Sequence, residues 1–173
     1  MNEEVEAYNS CVPRGENELI DKIELALLEM VDSGEYVEME LPTKHTFTKG
    51  LYAREITMYP SNRLTSQIHL KDHQFCVLQG EVAVKQGDEV VILRAGHHGI
   101  TYKGTRRVLM VDDNAKEVVK WITFHPTDIL PTGNSEEEVL EAVAKVWDEV
   151  IEKRINPLLE HRNNINTQSI ENE

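Results

Sequence analysis

The apolar positions of this chain change period twice. From Leu19 to Val31, the residues Leu19, Ile20, Ile23, Ala26, Leu27, Met30 and Val31 recur at helical spacing, which predicts an amphipathic helix. Asn17 stands where an N-cap would, and Gly34 where such a helix stops. From about residue 44 to residue 127 the period shortens. Runs rich in β-branched, aromatic and aliphatic residues predict strands at Leu51–Met58, Leu64–His69, Gln74–Leu78, Glu81–Lys85, Val90–Leu93, His98–Tyr102, Arg107–Val111 and Val118–Phe124. Turn signals part them at Pro60-Ser61-Asn62, Gln86-Gly87-Asp88, Ala95-Gly96, Lys103-Gly104 and Asp112-Asp113-Asn114. After Pro126 and Pro131-Thr132-Gly133 the helical period returns. Ser135 and Glu138 form a capping box, and Val139, Leu140, Val143, Val146, Trp147, Val150, Ile151 and Ile155 make a broad stripe on a helix expected to end near Pro157.

About eight short strands at regular intervals predict a mainly β protein, a sandwich or barrel of jelly-roll type. The expected organisation is an acidic segment and helix over 1–40, a β-barrel over 41–130, and a helix with a polar tail over 131–173, together one compact domain. The first dozen residues and those from about Asn163 are polar and read as poorly ordered ends. A stripe as wide as that of the second helix needs a partner: the barrel, the first helix or a subunit interface.

Composition changes little in this picture. The 173 residues are 40% hydrophobic and 28% charged, ordinary for a globular protein. A net charge of −13 weighs against non-specific binding to nucleic acid or anionic membranes. No apolar run reaches the roughly 20 residues that span a bilayer, and the acidic N-terminus lacks the apolar core of a secretory leader. Cys11 and Cys76 make no disulfide framework, and Cys76 reads as a small core residue, so a reducing cytoplasm is the expected compartment.

Candidate chemistry centres on Ser61, Gln67, His69, His73 and Gly80, followed by Gly96, Gly104 and Arg107. Their spacing resembles the two motifs of the cupins. On the first, Ser61 takes the opening glycine, Gln67 and His69 the paired histidines, His73 the glutamate and Gly80 the closing glycine. On the second, Gly96 and Gly104 keep the glycines, Tyr102 replaces the proline, Arg107 stands at the last metal-binding histidine and Val111 replaces the asparagine. The resemblance covers residues 61–111 and implies a cupin-like jelly-roll barrel with a pocket at these positions.

The substitutions alter what that pocket can hold. A divalent transition metal takes imidazole nitrogen and carboxylate ligands at about 2.0–2.2 Å. His69 and His73 supply two imidazoles, Gln67 only a neutral amide oxygen. Arg107 has no lone pair to give and repels a metal beside it. His125, from the last strand, is a candidate third ligand, and His45 a fourth. The cofactor this implies is one divalent transition metal: iron, manganese, nickel or zinc. The bland alternative is that each is a hydrogen-bonded structural histidine, and His97-His98 reads as a solvated loop.

An arginine entering a small barrel needs an anionic partner, because an unpaired buried charge is costly. The candidates are an internal carboxylate such as Glu55 or Glu81, making a structural strut, or an anionic ligand, which a guanidinium fork suits well. Alternation sends only one of Arg106 and Arg107 inward. It also places Tyr52, Arg54, Ile56 and Met58 on one face of their strand and Leu51, Ala53, Glu55 and Thr57 on the other, with either set able to face the pocket. Arg107, Tyr52, Gln67 and Arg54 are the candidate ligand-binding residues, and His69, His73 and His125 the candidate metal ligands.

A narrower resemblance rests on His45-x-Phe47-x-x-Gly50-x-Tyr52-Ala53-Arg54-Glu55, Ile68-His69-x-x-x-His73, Gly104-Thr105-x-Arg107 and Thr123-x-His125-Pro126-Thr127. These pieces are similar to uncharacterised cupin-like proteins encoded by bacteriophages. The similarity implies that His69, His73, His125 and Arg107 share one pocket, and a host cytoplasm as the compartment, but no activity. Three functions follow as expectations. The first is binding of a small anionic molecule, with or without a metal. The second is a metal-dependent oxygenase, isomerase or lyase, and the third a scaffold for interactions. The wide helical stripe and the habit of cupins favour a homodimer.

Overall fold

The computed structural model describes residues 14–86 and 88–152, with side chains from Asn17 onward. Cys11, the acidic start of the chain, Gly87, Ile155, Pro157 and the polar tail from Asn163 lie outside the described residues. The elements run α1 (Arg14–Asp32), β1 (Thr43–Thr48), β2 (Leu51–Met58), β3 (Arg63–Thr65), β4 (His73–Gln79), β5 (Glu81–Gln86), β6 (Glu89–Arg94), β7 (His98–Thr101), β8 (Val108–Met110), β9 (Val119–Pro126) and α2 (Glu136–Val150). The strands form two sheets, ordered β1-β2-β9-β4-β7 and β3-β8-β5-β6, with every pair antiparallel. This mainly β jelly roll with a helix at either end is the fold the strand pattern predicts.

Alternation on β2 is now resolved. Tyr52, Ile56 and Met58 are buried, so the face that carries Arg54 points inward and Glu55 points out. The sheets close on a core of Ile56, Met58, Phe75, Val77, Val82, Val84, Leu93, Leu109, Val111, Val119 and Trp121. Phe75 and Trp121 stack there with ring centroids 4.4 Å apart. A second cluster, of Tyr52 with Val143, Val146 and Val150, fastens α2 across the other end of the barrel. The broad stripe of α2 is therefore spent on the barrel, with Leu140 left exposed.

Several sequence expectations need correction. Thr43–Thr48 is a strand, paired along its length with β2. The strand expected over Leu64–His69 ends at Thr65, because Ser66 turns to serve the Arg106–Arg107 segment: its N–H donates to the Arg107 carbonyl (2.9 Å) and its hydroxyl accepts from the Arg107 N–H (2.8 Å). Helix α2 has the Ser135–Glu138 capping box but stops at Val150. Ile151 turns extended and bridges His69, and the Glu152 N–H donates to the Ile68 carbonyl (2.9 Å). Cys76 is half-buried and paired with His98 and Ile122, on the face of β4 opposite the core residues Phe75 and Val77.

Helix α1 begins earlier than expected, and Asn17 lies within it rather than capping it. The Asn17 side-chain amide donates to the Gly104 carbonyl (2.8 Å) and accepts from the Arg106 N–H (3.2 Å), which ties the helix to the loop before β8. Its C-terminus is closed by Gly34 at φ +79°, with Gly34 N–H on the Val31 carbonyl and Glu35 N–H on the Met30 carbonyl.

The motif positions are backbone positions first. Ser61 keeps a left-handed φ of 70° where the family pattern has glycine. Gly80 has φ +78°, and a Cβ there would sit 2.6 Å from the Val118 carbonyl oxygen. Gly80→Ala should therefore destabilise by on the order of 3 kcal/mol, from left-handed strain plus a backbone clash. Urea denaturation measures this, and a loss below about 1 kcal/mol would refute the packing described.

Candidate functional site

His69, His73 and His125 converge at the end of the barrel that α2 covers. One ring nitrogen from each lies within 4.8 Å of the others. Ring centroids are 4.1 Å apart for His69 and His73, 4.6 Å for His73 and His125, and 5.4 Å for His69 and His125. His69, bridged to Ile151, and His73, the first residue of β4, come from one short stretch, and His125, the penultimate residue of β9, from a distant one. His73 and His125 are fully buried, His69 partly.

Their electrostatics favour neutral rings. Burial pushes the His69 imidazole down to about 4, against support from the Gln67 backbone, and Arg107 and Arg54 lower it further. Burial likewise takes His73 to about 2, helped by its histidine neighbours and Arg107, and His125 to about 3, helped by His69 and Arg54. Nδ1 of His69 and Nδ1 of His73 are buried with no hydrogen-bond partner. Nε2 of His125 lies 3.0 Å from the Thr123 hydroxyl, which also reaches the Arg54 carbonyl at 3.4 Å. Three neutral imidazoles with ring nitrogens this close fit a divalent transition metal.

A cavity of about 400 Å³ opens beside the triad. Arg54, Arg107, Gln67, Thr101, Thr123 and Trp147 are among its lining residues, and no carboxylate is. Arg107 enters the barrel, as alternation required of one of the two arginines. It is buried over the Phe75 ring at 4.8 Å, its Nη2 reaches the Ile100 carbonyl at 3.4 Å, and its Nε has no partner. Burial lowers it to about 10, still cationic at neutral pH. Arg106 turns the other way. It pairs with Asp21, and with Glu24 at 3.0 Å, on α1, and donates to the Ser66 carbonyl at 2.8 Å. The expected struts to Glu55 or Glu81 do not form: Glu55 faces outward, and Glu81 pairs with Arg94 at 2.6 Å.

Other candidates fall into place around this centre. Arg54 lies 5.6 Å from the centroid of the Trp147 ring, on the cavity wall. Tyr52 is buried behind the triad, its ring 5.8 Å from that of His125 and its hydroxyl 2.7 Å from Nδ1 of His45. Burial raises the Tyr52 phenol to about 12, so it stays protonated. His45 thus braces Tyr52 and is not in the convergent set. Gln67 is exposed at the cavity rim. His97 and His98 are exposed, His97 in the turn as a loop reading expects and His98 opening β7 opposite Cys76.

Sequence reasoning missed Trp147 as a site residue. Its ring stands edge-on to His125 (5.5 Å) and His69 (6.5 Å), forming the roof of the pocket. The only signal was a tryptophan in the stripe of a helix that had to pack on something. Trp147 also lines a second, larger cavity of about 680 Å³ between α1, residues 36–41 and the end of α2.

The fold and its pocket define a cupin-like barrel with three convergent histidines. Solved structures similar to this chain include a cupin-2 domain protein from Shewanella frigidimarina, at 15% identity over 56% of this chain and 90% of that one (TM-score 0.42). The cupin domain of Schizosaccharomyces pombe Cnp3 aligns at 19% identity over 54% and 66% (TM-score 0.44). A double-stranded β-helix protein from Klebsiella pneumoniae aligns at 21% over 55% and 86% (TM-score 0.45). No family model and no curated protein matches the sequence. Among the described residues, no helix is long and apolar enough to cross a membrane.

Proposed function

We propose that this protein binds a small anionic molecule in the cavity beside His69, His73 and His125, which hold one divalent transition metal. The observation that carries this reading is a cavity lined by two guanidinium groups and the neutral imidazoles of His69 and His73, with no carboxylate to balance them. In a chain of net charge −13 the acids are elsewhere. An anion supplies the missing partner, and Arg107, buried with Nε unpaired, is its first contact. A saturating anion, at about 100 times its Kd, should stabilise the fold by about 2.7 kcal/mol, or roughly 5–10 °C in Tm. Arg107→Met should abolish that shift in a thermal-melt panel of small anions. A panel in which no anion moves the Tm would remove the motive for the reading.

A second reading, metal-dependent catalysis, has one observation in its favour: two of the three convergent histidines, His69 and His73, lie on the cavity wall, so a metal held by the three would keep a position open to a bound molecule. Bound there, a metal supplies Lewis-acid polarisation. The chain's own part is to hold neutral ligands, aim Arg107 and Arg54 at the anion, and exclude water beneath Trp147.

We also propose that two copies pair through β6, an edge strand with exposed Val90, Val91 and Ile92. Two-fold antiparallel pairing would set Glu89 of one copy against Arg94 of the other. Sedimentation should find a dimer that Ile92→Lys dissociates; a wild-type monomer at micromolar concentration refutes it. The similarity to phage-encoded proteins would place this binding activity in a host cytoplasm, where the protein would sequester a small metabolite.

A further inference from the structure

The two arginines of the cavity come from opposite sheets. Arg54 lies on β2 of the five-stranded sheet, and Arg107 immediately precedes β8 of the four-stranded one. Each is laid against an aromatic ring, Trp147 at 5.6 Å and Phe75 at 4.8 Å, which fixes the plane of the guanidinium and leaves its N–H edge for a ligand. Both line the same cavity as His69 and His73. No carboxylate lines the cavity, and among the described residues neither arginine is in an ion pair.

One anionic group satisfies one fork. With a monoanion bound, the second guanidinium stays desolvated and uncompensated, which is the costly arrangement. We propose that the ligand carries two anionic groups, one paired with Arg107 and one with Arg54, joined by a short chain that crosses the face of the triad. This rests on the anion-binding reading and narrows it to a class. A volume of about 400 Å³ equals roughly a dozen water-sized groups at about 30 Å³ each, enough for a four- or five-carbon dicarboxylate or a three-carbon phosphorylated acid. The shared chemistry is a compact dianion. Thr101, also on the wall, offers a hydroxyl to its middle.

The test is calorimetric titration of chelator-treated protein at fixed ionic strength with succinate, glutarate, the monomethyl ester of each, and a three-carbon phosphomonoester acid. The diacids, or the phosphorylated acid, should bind at least about tenfold tighter than the monoesters. Arg54→Met should reduce diacid affinity to the monoester level. If the monoesters bind as tightly as the diacids, the two-group proposal is wrong and the anion-binding reading stands. If no anion binds at millimolar concentration, that reading fails and takes the proposal with it. A preference for the phosphorylated acid over both diacids would support the dianion and assign one arginine to phosphate. The ester comparison uses unaltered protein, so the test does not depend on Arg54→Met folding.

Discussion

Chelator-treated protein should lose stability steeply as pH falls from about 6.5 towards 4. The three imidazoles of the triad titrate at about 4, 2 and 3 in the folded state, against 6.5 when unfolded. At pH 7 and above both states leave them neutral, and the stability is fully present. Below 6.5 the unfolded chain takes up three protons that the folded chain refuses, so each step down in pH favours unfolding. The slope approaches three protons, roughly 4 kcal/mol per pH unit. Against a total stability of about 5–15 kcal/mol, that suffices to unfold the protein between about pH 6 and 4. Urea midpoints at pH 8, 6 and 5 measure it. His73→Gln should flatten the slope by about a third, and a midpoint unchanged from pH 7 to pH 5 would contradict the buried neutral triad.

The second large effect concerns the metal. His73 stands between the other two rings, at 4.1 and 4.6 Å, and offers an orphaned Nδ1. His73→Ala should weaken binding of one divalent ion per chain by more than about 100-fold, since even partners outside the ligand set are worth about 10- to 100-fold in metal sites. His97→Ala, at an exposed loop position, should leave it unchanged. Elemental analysis after dialysis against a limiting metal buffer checks both. Equal metal content in His73→Ala and unaltered protein would place the ion elsewhere.

How much of this was legible in the sequence depended on how local each signal was. Strands β2, β4, β5 and β6 are rich in β-branched, aromatic and aliphatic residues between clear turn signals, and their bounds were nearly right. β1 was missed because its half-buried positions are Thr43, His45 and Phe47, only one of them apolar. The end of α2 was misjudged because what stops it is distant: Ile151 leaves the helix to bridge His69, 82 residues back. Two ligands of the triad were readable from spacing and the third from its place on the last strand. The orientation of Arg54 waited on knowing that Tyr52 packs under α2. The partners of Arg106 lie on α1, 82 and 85 residues away, and no local pattern names them.

The central claim is that one cavity holds both a metal and an anion. Metal and two guanidiniums together place much positive charge in a space without a carboxylate, so each ligand should strengthen the other's binding reciprocally. The direct measurement is titration of a divalent ion such as cobalt into chelator-treated protein, with and without saturating dicarboxylate. One ion per chain should bind, tightened at least about tenfold by the anion, with the gain lost in Arg107→Met. An ion affinity that the anion leaves unchanged, or the absence of any ion binding, would contradict it.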